Sequence, residues 1–297
     1  MKANTTNKQT IIIGCSNGKE LAKKIAQQLK INYAQLITKD FPDGELYIRY
    51  PVNVGNKHVV LVQSMHPNPN KTIMETILAT KTARKLGAKR ITLVAPYLAY
   101  LRQDKMFHQG ECVSNEIIAE LLSTADNVVT IDPHLHRINK LSQIFTTKTT
   151  TLSAMNAISE YLLDNNIQGT LIGPDIESTQ WASQVAQTTG LPLIILHKKR
   201  YTPRSIRTKV NFDVKGKNII IIDDIVSTGR TMIEPIKQLK KLGANKILCI
   251  SVHGLFVENA LQLIKKNGAN IISTNTIQTQ ASKIDVSKTI AEALRRL

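Results

Sequence analysis

The sequence from residue 219 to residue 231 is IIIIDDIVSTGRT, and its first four residues are all isoleucine. An apolar run without alternation predicts a strand that is buried on both faces, as in a parallel sheet. Two carboxylates, Asp223 and Asp224, come next, and a short loop of hydroxyl and glycine residues follows them. Apolar residues at helical spacing then predict a helix that stops at Gly243. In an open α/β sheet, such a strand–loop–helix junction lies at the edge where ligands bind.

This loop has the chemistry of an anion site. The backbone N–H groups of residues 227–231 and the N-terminus of the following helix predict a cradle for a phosphate. Asp223 and Asp224 would repel a bare phosphate, so we expect a ligand that also carries sugar hydroxyls and magnesium. The alternative for this stretch is an ordinary strand–turn–helix corner with a Ser or Thr cap.

The composition limits the classes of function. The chain has 297 residues, a length that suits two domains of ordinary size. Its formal charge of +17 predicts attraction for polyanions such as nucleotides and sugar phosphates. Aromatic residues make up 4% of the chain, too few for a platform that stacks single-stranded nucleic acid. We interpret the charge as mainly solvated surface, and we predict no specific nucleic-acid partner.

The three cysteines, Cys15, Cys112 and Cys249, are too few and too dispersed for a disulfide framework or a zinc cluster. Cys15 and Cys249 adjoin apolar strands and are predicted to lie in the core. No apolar stretch approaches the length of a membrane-spanning helix, and the apolar run near the N-terminus is too short for a signal peptide. The sequence therefore predicts a cytoplasmic protein without a membrane partner.

An internal repeat indicates that the chain consists of two similar halves. Short apolar runs alternate with helical patterns along nearly the whole chain, which predicts parallel sheets covered by helices. KLGAKRI at residues 85–91 matches KLGANKI at 241–247, and VVLVQ at 59–63 corresponds to IIIID at 219–223. We therefore predict a duplication in which the first copy lacks the acidic loop.

The predicted domains are residues 1–148 and residues 149–285, and a tail helix over 286–297 is expected to pack on the first domain. Residues 33–50 differ from the rest of the first half, because they predict two strands around a Pro-Asp-Gly turn. Ser114 is predicted to cap a helix.

The loop at residues 223–231 closely resembles the phosphoribosyl pyrophosphate loop shared by phosphoribosyltransferases and ribose-phosphate pyrophosphokinases. Four further motifs resemble the pyrophosphokinases specifically, and the resemblance spans nearly the whole chain. It implies an α/β fold of two tandem phosphoribosyltransferase-like, doubly wound domains with central parallel sheets. It also implies a ribose 5-phosphate site in which the acids contact ribose and the loop binds phosphate: Asp223, Asp224, Ser227, Thr228, Gly229, Arg230 and Thr231. Arg230 stands where many relatives have a second glycine.

Two motifs resemble the family's ATP site. In relatives, the motif FPDGE contributes to ATP binding, typically in a neighbouring subunit, and the residues here are Phe41, Asp43, Gly44 and Glu45. An Arg-Gln pair after the strand that ends near residue 95 binds ATP in relatives, and corresponds to Arg102 and Gln103. Taken alone, the first motif would usually be just a turn, and the second a solvated basic loop. The resemblance implies ATP as a substrate and a homo-oligomer, at least a dimer.

The resemblance assigns magnesium to His134, within DPHLHR at residues 132–137, and to Asp175, within GPDIES at residues 173–178. Imidazole is an unusual magnesium ligand, because this ion prefers oxygen. An alternative interpretation takes His134 and His136 as a transition-metal pair, since His suits zinc.

This region also departs from the family. Many members have Leu in place of Pro133, Gln or Glu near Arg137, and two glycines in place of residues 177–178. We predict that Ser178 instead caps the helix that carries Trp181 and Val185.

A basic run follows a predicted strand in the second half. Lys198 and Arg200 match the catalytic lysine and arginine of the family by position, and Arg200 also belongs to the ribose 5-phosphate site. Diphosphoryl transfer develops charge on phosphate oxygens, and cations that close over it stabilise that charge. Residues 201–209 are predicted to form a mobile basic loop. In isolation, the run would more often be solvated surface or a nucleic-acid patch.

The resemblance implies that the chain is a diphosphotransferase, which transfers the β,γ-diphosphoryl group of ATP to the 1-hydroxyl of ribose 5-phosphate. Two alternatives stay open at this point. One is a catalytically silent regulatory homologue of the same fold, which the altered metal motifs favour. The other is a phosphoribosyltransferase, which would not explain residues 41–45 or the pair Arg102 and Gln103.

Overall fold

The structure is a computed structural model that describes residues 9–135, 137–173, 176–195, 197–202, 205–209 and 213–297. The chain divides into two compact units. The first runs to Ser153 and also includes Ser287–Leu297, and the second is Ala154–Val286. None of the helices in the described ranges is long and apolar enough to span a membrane.

The first unit contains a six-stranded sheet in the order β2-β1-β5-β6-β7-β8, in which neighbouring strands run parallel. Its strands are β1 (Thr10–Gly14), β2 (Asn32–Gln35), β5 (His58–Val62), β6 (Arg90–Val94), β7 (Asn127–Ile131) and β8 (Lys148–Leu152). The helices between these strands are α1 (Lys19–Leu29), α2 (Pro69–Lys85) and α3 (Ser114–Leu122). Apolar side chains of the central strands are fully buried, as the uninterrupted apolar runs predict.

The two strands predicted around the Pro-Asp-Gly turn are confirmed, and residues 33–35 belong to a further strand that was not predicted. A hairpin forms from β3 (Ile37–Asp40) and β4 (Leu46–Arg49), which pair antiparallel around the Pro-Asp-Gly turn. The preceding residues form β2, which pairs parallel with β1 at the edge of the main sheet. Ala34 and Leu36 are buried there, so burial of these side chains draws the segment into the sheet.

The second unit contains another six-stranded parallel sheet, in the order β10-β9-β13-β14-β15-β16. Its strands are β9 (Thr170–Gly173), β10 (Leu193–Ile195), β13 (Ile219–Val226), β14 (Ile247–Gly254), β15 (Asn270–Thr274) and β16 (Ser282–Ile284). The helices are α4 (Met155–Asp164), α5 (Ile176–Thr189), α6 (Arg230–Lys241) and α7 (Ala260–Lys266). The four isoleucines of β13 are buried between β9 and β14, as predicted.

A second hairpin forms from β11 (His197–Thr202) and β12 (Ser205–Lys209), which pair antiparallel. The prediction of an irregular basic loop at residues 201–209 is therefore wrong. Backbone pairing between β11 and β12 satisfies hydrogen-bond donors and acceptors that would bind water in a loop. The pattern of basic side chains does not indicate this pairing.

The two sheets correspond strand for strand, and in each unit a hairpin follows the second strand of the sheet. In both sheets the chain first moves to one side, from β1 to β2 or from β9 to β10, and then crosses to the other side. This is the doubly wound arrangement, and it confirms the predicted fold class. Gly87 and Gly243, at equivalent places after α2 and α6, have φ of +82° and +85°, which favours glycine as a helix stop.

Two predicted helix caps are wrong. Ser114 is the first residue of α3, and the non-helical Val113 precedes it in the cap position. Ser178 is the third residue of α5, because that helix already includes Ile176. In both cases the helix begins earlier than the position of the serine hydroxyl suggests.

The tail helix α8 (Ser287–Leu294) belongs to the first unit and packs against α1. Just beyond it, the guanidinium of Arg295 donates a hydrogen bond of 2.7 Å to the carbonyl oxygen of Gln28. Ile290 and Ala291 of α8 are buried. The first unit is therefore completed by the last residues of the chain.

Candidate active site

The acidic pair lies at the point where the strand order of the second sheet reverses. β9 and β13 are neighbours at this reversal, and the carboxyl edge at such a reversal is where open α/β sheets bind ligands. The prediction that the strand ends before the acids is wrong, since β13 continues to Val226. Asp223 pairs with Ser251 and Ile225 with His253, because β14 is equally long. The carboxylates therefore project from a paired strand rather than from a loop.

Asp223 and Asp224 are 8% and 5% exposed, and they leave β13 on opposite faces of the sheet, because successive strand residues alternate. Each carboxylate accepts a hydrogen bond from the backbone N–H of the next residue. The N–H of Asp224 donates to Asp223 Oδ1 at 3.1 Å, and the N–H of Ile225 donates to Asp224 Oδ1 at 2.7 Å. The backbone thus fixes both carboxylates at the carboxyl edge of the sheet without the help of a ligand.

Cys249 faces the same side as Asp223 and confirms the core position predicted for it. Burial raises the pKa of the Cys249 thiol above its ordinary range, and the nearby Asp223 carboxylate raises it further. Cys15 is also fully buried, and burial together with the Glu75 carboxylate raises its thiol pKa. Neither cysteine is therefore poised as a thiolate nucleophile.

The loop after the acids leads directly into a helix N-terminus. Gly229 has φ of +74° and precedes α6, and its carbonyl oxygen accepts the N–H groups of Met232 at 3.0 Å and Ile233 at 3.1 Å. A side chain at Gly229 would also meet Ile264 at 3.2 Å, so both the backbone conformation and the space favour glycine. Ser227 and Thr228 are partly exposed and Thr231 is exposed. The first turn of α6 therefore presents N–H groups beside accessible hydroxyls, which suits a phosphate.

Arg230 lies at the rim of this loop. Its guanidinium is 3.1 Å from the carboxylate of Glu258, and both side chains are well exposed. An exposed pair of this kind is weak, so the guanidinium is accessible to an incoming phosphate.

The first unit has an equivalent strand reversal, and its own side chains fill it. Gln63, which corresponds to Asp223 in the repeat, is fully buried and accepts the N–H of Asn17 at 2.9 Å. The Gln63 amide also donates to Ser16 Oγ at 3.2 Å, and the N–H of Ser16 donates to Glu75 Oε1 at 2.8 Å. These internal hydrogen bonds occupy the place where the second unit offers carboxylates and an open loop. The sequence predicted this difference through Gln63, which replaces the aspartate of the repeat, whereas nothing in the sequence indicated a role for Ser16 or Glu75.

The predicted ATP contacts of the first unit lie on its carboxyl edge and on its hairpin. Arg102 is exposed and Gln103 partly exposed in the loop after β6, and His134 is partly exposed in the loop after the neighbouring β7. The hairpin tip at residues 41–45 is exposed throughout, with Phe41 at 49%. The N–H of Phe41 donates to the carbonyl oxygen of Glu45 at 2.8 Å, and the N–H of Glu45 donates to Asp43 Oδ1 at 3.1 Å. The tip is thus an ordered, projecting turn.

The remaining predicted site residues are two metal-site candidates and the catalytic pair. Asp175 and His136 lie outside the described residues. Lys198 and Arg200 lie on β11, where they pair with Thr208 and Ile206 of β12. Within the described ranges, no three His, Cys, Asp or Glu side chains come together as a metal cluster.

Comparisons with known proteins agree with this architecture. Residues 10–125 match the model for the N-terminal domain of ribose phosphate pyrophosphokinase, and residues 141–287 match the phosphoribosyl transferase domain. The chain is 34% identical to the ribose-phosphate pyrophosphokinase of Methanobrevibacter smithii, over 96% of this chain and 100% of that protein. It is also 34% identical to the enzyme of the same name from Pyrococcus furiosus, with the same coverage.

A solved structure agrees with the sequence relatives. The crystal structure of phosphoribosylpyrophosphate synthetase from Mycobacterium smegmatis superposes with a TM-score of 0.81 at 28% identity. The match covers 96% of this chain and 98% of that one. A phosphoribosyltransferase would not account for the match at residues 10–125. Because both units match along nearly their whole length, the chain belongs to the ribose-phosphate pyrophosphokinase family of enzymes.

Proposed function

We propose that this family member transfers the β,γ-diphosphoryl group of ATP to the 1-hydroxyl of ribose 5-phosphate, giving phosphoribosyl pyrophosphate and AMP. The observation that carries the proposal is the buried acidic pair of β13, held by backbone hydrogen bonds directly before the N-terminus of α6. Family membership over nearly the whole chain supports the same reaction.

Ribose 5-phosphate is assigned to the second unit. Asp223 and Asp224 are buried carboxylates with fixed positions, so they suit hydrogen bonds from ribose hydroxyls. Residues 227–231 and the helix N-terminus suit the 5-phosphate, and Arg230 adds a positive charge at the rim. Arg200 is assigned to the same substrate.

ATP is assigned to the first unit and to a neighbouring subunit. Arg102 offers a guanidinium that can stack on a base and attract phosphate, and Gln103 offers an amide beside it. Phe41, Asp43, Gly44 and Glu45 project from the hairpin and complete the nucleotide site of the adjacent subunit in this proposal. The exposure of the whole tip supports this part of the proposal, which requires at least a homodimer.

Magnesium is assigned to His134 and Asp175. Magnesium usually keeps several waters and takes only one or two carboxylates besides substrate phosphates, so a dense protein cluster is not required. The carboxylate of Asp175 is a ligand type that magnesium prefers, whereas the imidazole of His134 is an unusual one. When bound, magnesium would neutralise charge on the phosphates.

The chemical step needs no covalent intermediate. The 1-hydroxyl oxygen bonds to the β-phosphorus and loses its proton to solvent, as the bond from that phosphorus to the α–β bridging oxygen breaks and this oxygen leaves with AMP. Lys198 and Arg200 are assigned to the negative charge that develops on the transferred group. Positioning and charge stabilisation account for the rate in such reactions.

Product analysis tests the proposal directly. Incubation with ATP, magnesium and ribose 5-phosphate should produce AMP and phosphoribosyl pyrophosphate in equal amounts. ADP in place of AMP would show an ordinary kinase. Absence of any product, from protein that still binds both substrates, would show the silent regulatory homologue.

Asp224→Asn is expected to weaken ribose 5-phosphate binding by about tenfold or more, because hydrogen bonds to a charged acceptor contribute roughly 1.5–3 kcal/mol. ATP affinity should change much less, since ATP is assigned to the other unit. Calorimetric titration of each substrate, with and without magnesium, measures both affinities. Asp164→Asn, at an exposed carboxylate of the same unit, is the matched control. Equal losses for both substrates would show that the assignment of one substrate to each unit is wrong.

Other parts of the sequence prediction stay predictions. These are the cytoplasmic location and the absence of a specific nucleic-acid or membrane partner. Binding measurements against DNA, RNA and anionic vesicles at physiological salt would check the partners, because charge-driven binding falls steeply with salt.

A further inference from the structure

Two neighbouring loops of the first unit carry the groups assigned to ATP and magnesium. The Arg-Gln loop comprises residues 95–113, between β6 and α3, and contains Arg102 and Gln103. The His loop follows β7, comprises the described residues 132–135 and 137–140, and contains His134. Because β6 and β7 are adjacent parallel strands, both loops leave the same edge of the sheet.

Arg137 of the His loop binds Asp104 of the Arg-Gln loop. Its guanidinium Nη1 is 2.6 Å from Asp104 Oδ1, and its backbone N–H donates to Asp104 Oδ2 at 3.2 Å. Both oxygens of one carboxylate are therefore engaged by one residue. Asp104 directly follows Gln103 in the chain, and Arg137 lies three residues after His134.

Asp104 is held as a carboxylate in this contact. Its side chain is 1% exposed, whereas the Arg137 side chain is 48% exposed. Burial raises the pKa of Asp104, but the hydrogen bonds from Arg137 outweigh this effect and leave the pKa below its ordinary value. Because Arg137 engages both oxygens of this carboxylate, the contact links the two loops energetically.

Arg137 also contacts a second point of the Arg-Gln loop. Its guanidinium carbon lies 5.5 Å from the centre of the Phe107 ring, and Lys105 Nζ lies 5.0 Å from the same centre. The carboxylate of Glu111 accepts the N–H of Phe107 at 2.8 Å and that of His108 at 3.2 Å, which closes the loop on itself. Arg137 therefore contacts a part of the Arg-Gln loop that is stabilised by its own hydrogen bonds.

Each loop contains a residue in a costly backbone conformation. Tyr100 has φ of +66° and Asp132 has φ of +35°, in the left-handed region that side chains other than glycine disfavour. Such conformations persist only where surrounding contacts hold them. The Tyr100 hydroxyl donates a hydrogen bond to Asn70 on α2, which is one such contact.

We propose that Arg137 is a positioning residue for the nucleotide: its contact with Asp104 holds the Arg-Gln loop and the His loop in one geometry, so that Arg102, Gln103 and His134 meet ATP together. This inference rests on the proposed function, which assigns those three residues. Arg137 does not itself touch the substrate in this scheme.

A double-mutant cycle with Arg137→Gln and Asp104→Asn tests the proposal. Each single variant should weaken magnesium–ATP binding about tenfold, the size expected for a charge-assisted hydrogen-bonded pair, while ribose 5-phosphate affinity stays unchanged. The double variant should be no weaker than the weaker single variant, because both changes remove the same contact. Arg137→Lys should recover part of the affinity. Calorimetry of each substrate alone supplies these values.

Arg84→Gln is the matched control. It breaks another ion pair of the first unit, Arg84 with Asp126 at 2.7 Å, in which the arginine is similarly exposed, and it should leave ATP affinity unchanged. Additive losses in the double variant would show that Arg137 and Asp104 act independently and would overturn the proposal. Unchanged ATP affinity in both single variants would overturn it as well.

A measurement made without nucleotide tests the link between the two loops independently of the proposed function. Amide hydrogen exchange of residues 100–113 and 132–135 should be faster in Arg137→Gln and in Asp104→Asn than in the wild type, and unchanged in Arg84→Gln. Faster exchange with intact ribose 5-phosphate binding would support the link even if the wild type produced no AMP. Unchanged exchange in both loops would overturn the link even in a fully active enzyme.

Discussion

Lys198→Ala is expected to lower turnover by on the order of a hundredfold or more while ATP affinity stays near its wild-type value. The reason is that a preorganised cation acts on charge that exists only in the transition state, so its removal leaves ground-state binding almost intact. Lys198 lies on β11, in a hairpin outside the six-stranded sheet of the second unit, and no nucleotide-binding role is assigned to it. Steady-state kinetics together with calorimetric titration of ATP measure the two effects separately.

The neighbouring lysine provides the control for this prediction. Lys199→Ala removes the same charge from the adjacent position of β11 and should change turnover by less than about threefold, since no role is assigned to it. If turnover in Lys198→Ala were unchanged while ATP affinity collapsed, Lys198 would be a binding residue. Equal effects of both substitutions would mean that the general positive charge of the hairpin matters, rather than one lysine.

Co-refolding two inactive variants is expected to restore activity if the hairpin serves the neighbouring subunit. The variants are Phe41→Ala/Glu45→Ala and Lys198→Ala, each of which should have little activity alone. In a random mixture, half of the sites have an intact Lys198, and half of those receive an intact hairpin. About a quarter of the wild-type activity should therefore return. The first variant truncates exposed side chains of a hairpin tip, and the second leaves the backbone pairing of β11 with β12 in place, so both variants should fold.

The control mixture combines Lys198→Ala with Arg200→Ala. Both residues belong to the same subunit's site in the proposal, so no hybrid contains a complete site and no activity should return. Native mass spectrometry must show that hybrids have formed in both mixtures. Hybrids of the first mixture without recovered activity would mean that the hairpin serves its own subunit, and the shared-site proposal would be falsified.

The doubly wound fold could be predicted from the sequence because it depends on local patterns. Uninterrupted apolar runs such as residues 219–222 require burial on both faces, which a parallel sheet supplies. The KLGA repeat located equivalent helix stops in both halves, and the structure extends that equivalence to six strands and a hairpin in each unit. Predictions of strand ends and helix caps were less accurate, as β13, Ser114 and Ser178 show, because neighbouring strands and turns decide where an element ends.

The candidate site also contains parts that the sequence predicted and parts that it did not. The acidic pair, the Gly229 loop and the Arg-Gln pair are contiguous motifs, so residue type and order were enough to propose their chemistry. The hairpin of β11 and β12 and the sheet position of β2 depend on backbone pairing between segments, which the side-chain pattern of one segment does not encode. Residues 198 and 200 were therefore selected by resemblance, while their place on a strand came from the structure.

The sequence by itself determined which residues are buried in strands, where the acidic loop occurs and that the first copy lacks it, since each depends on residues adjacent in the chain. Only the tertiary structure decided what fills the first copy, where Ser16, Gln63 and Glu75 meet from three separate segments. It also decided that Asp104 and Arg137, 33 residues apart, join two loops at one sheet edge. Contacts of this kind arise because parallel strands bring distant loops to the same edge, and no local pattern of residues records which side chains will meet there.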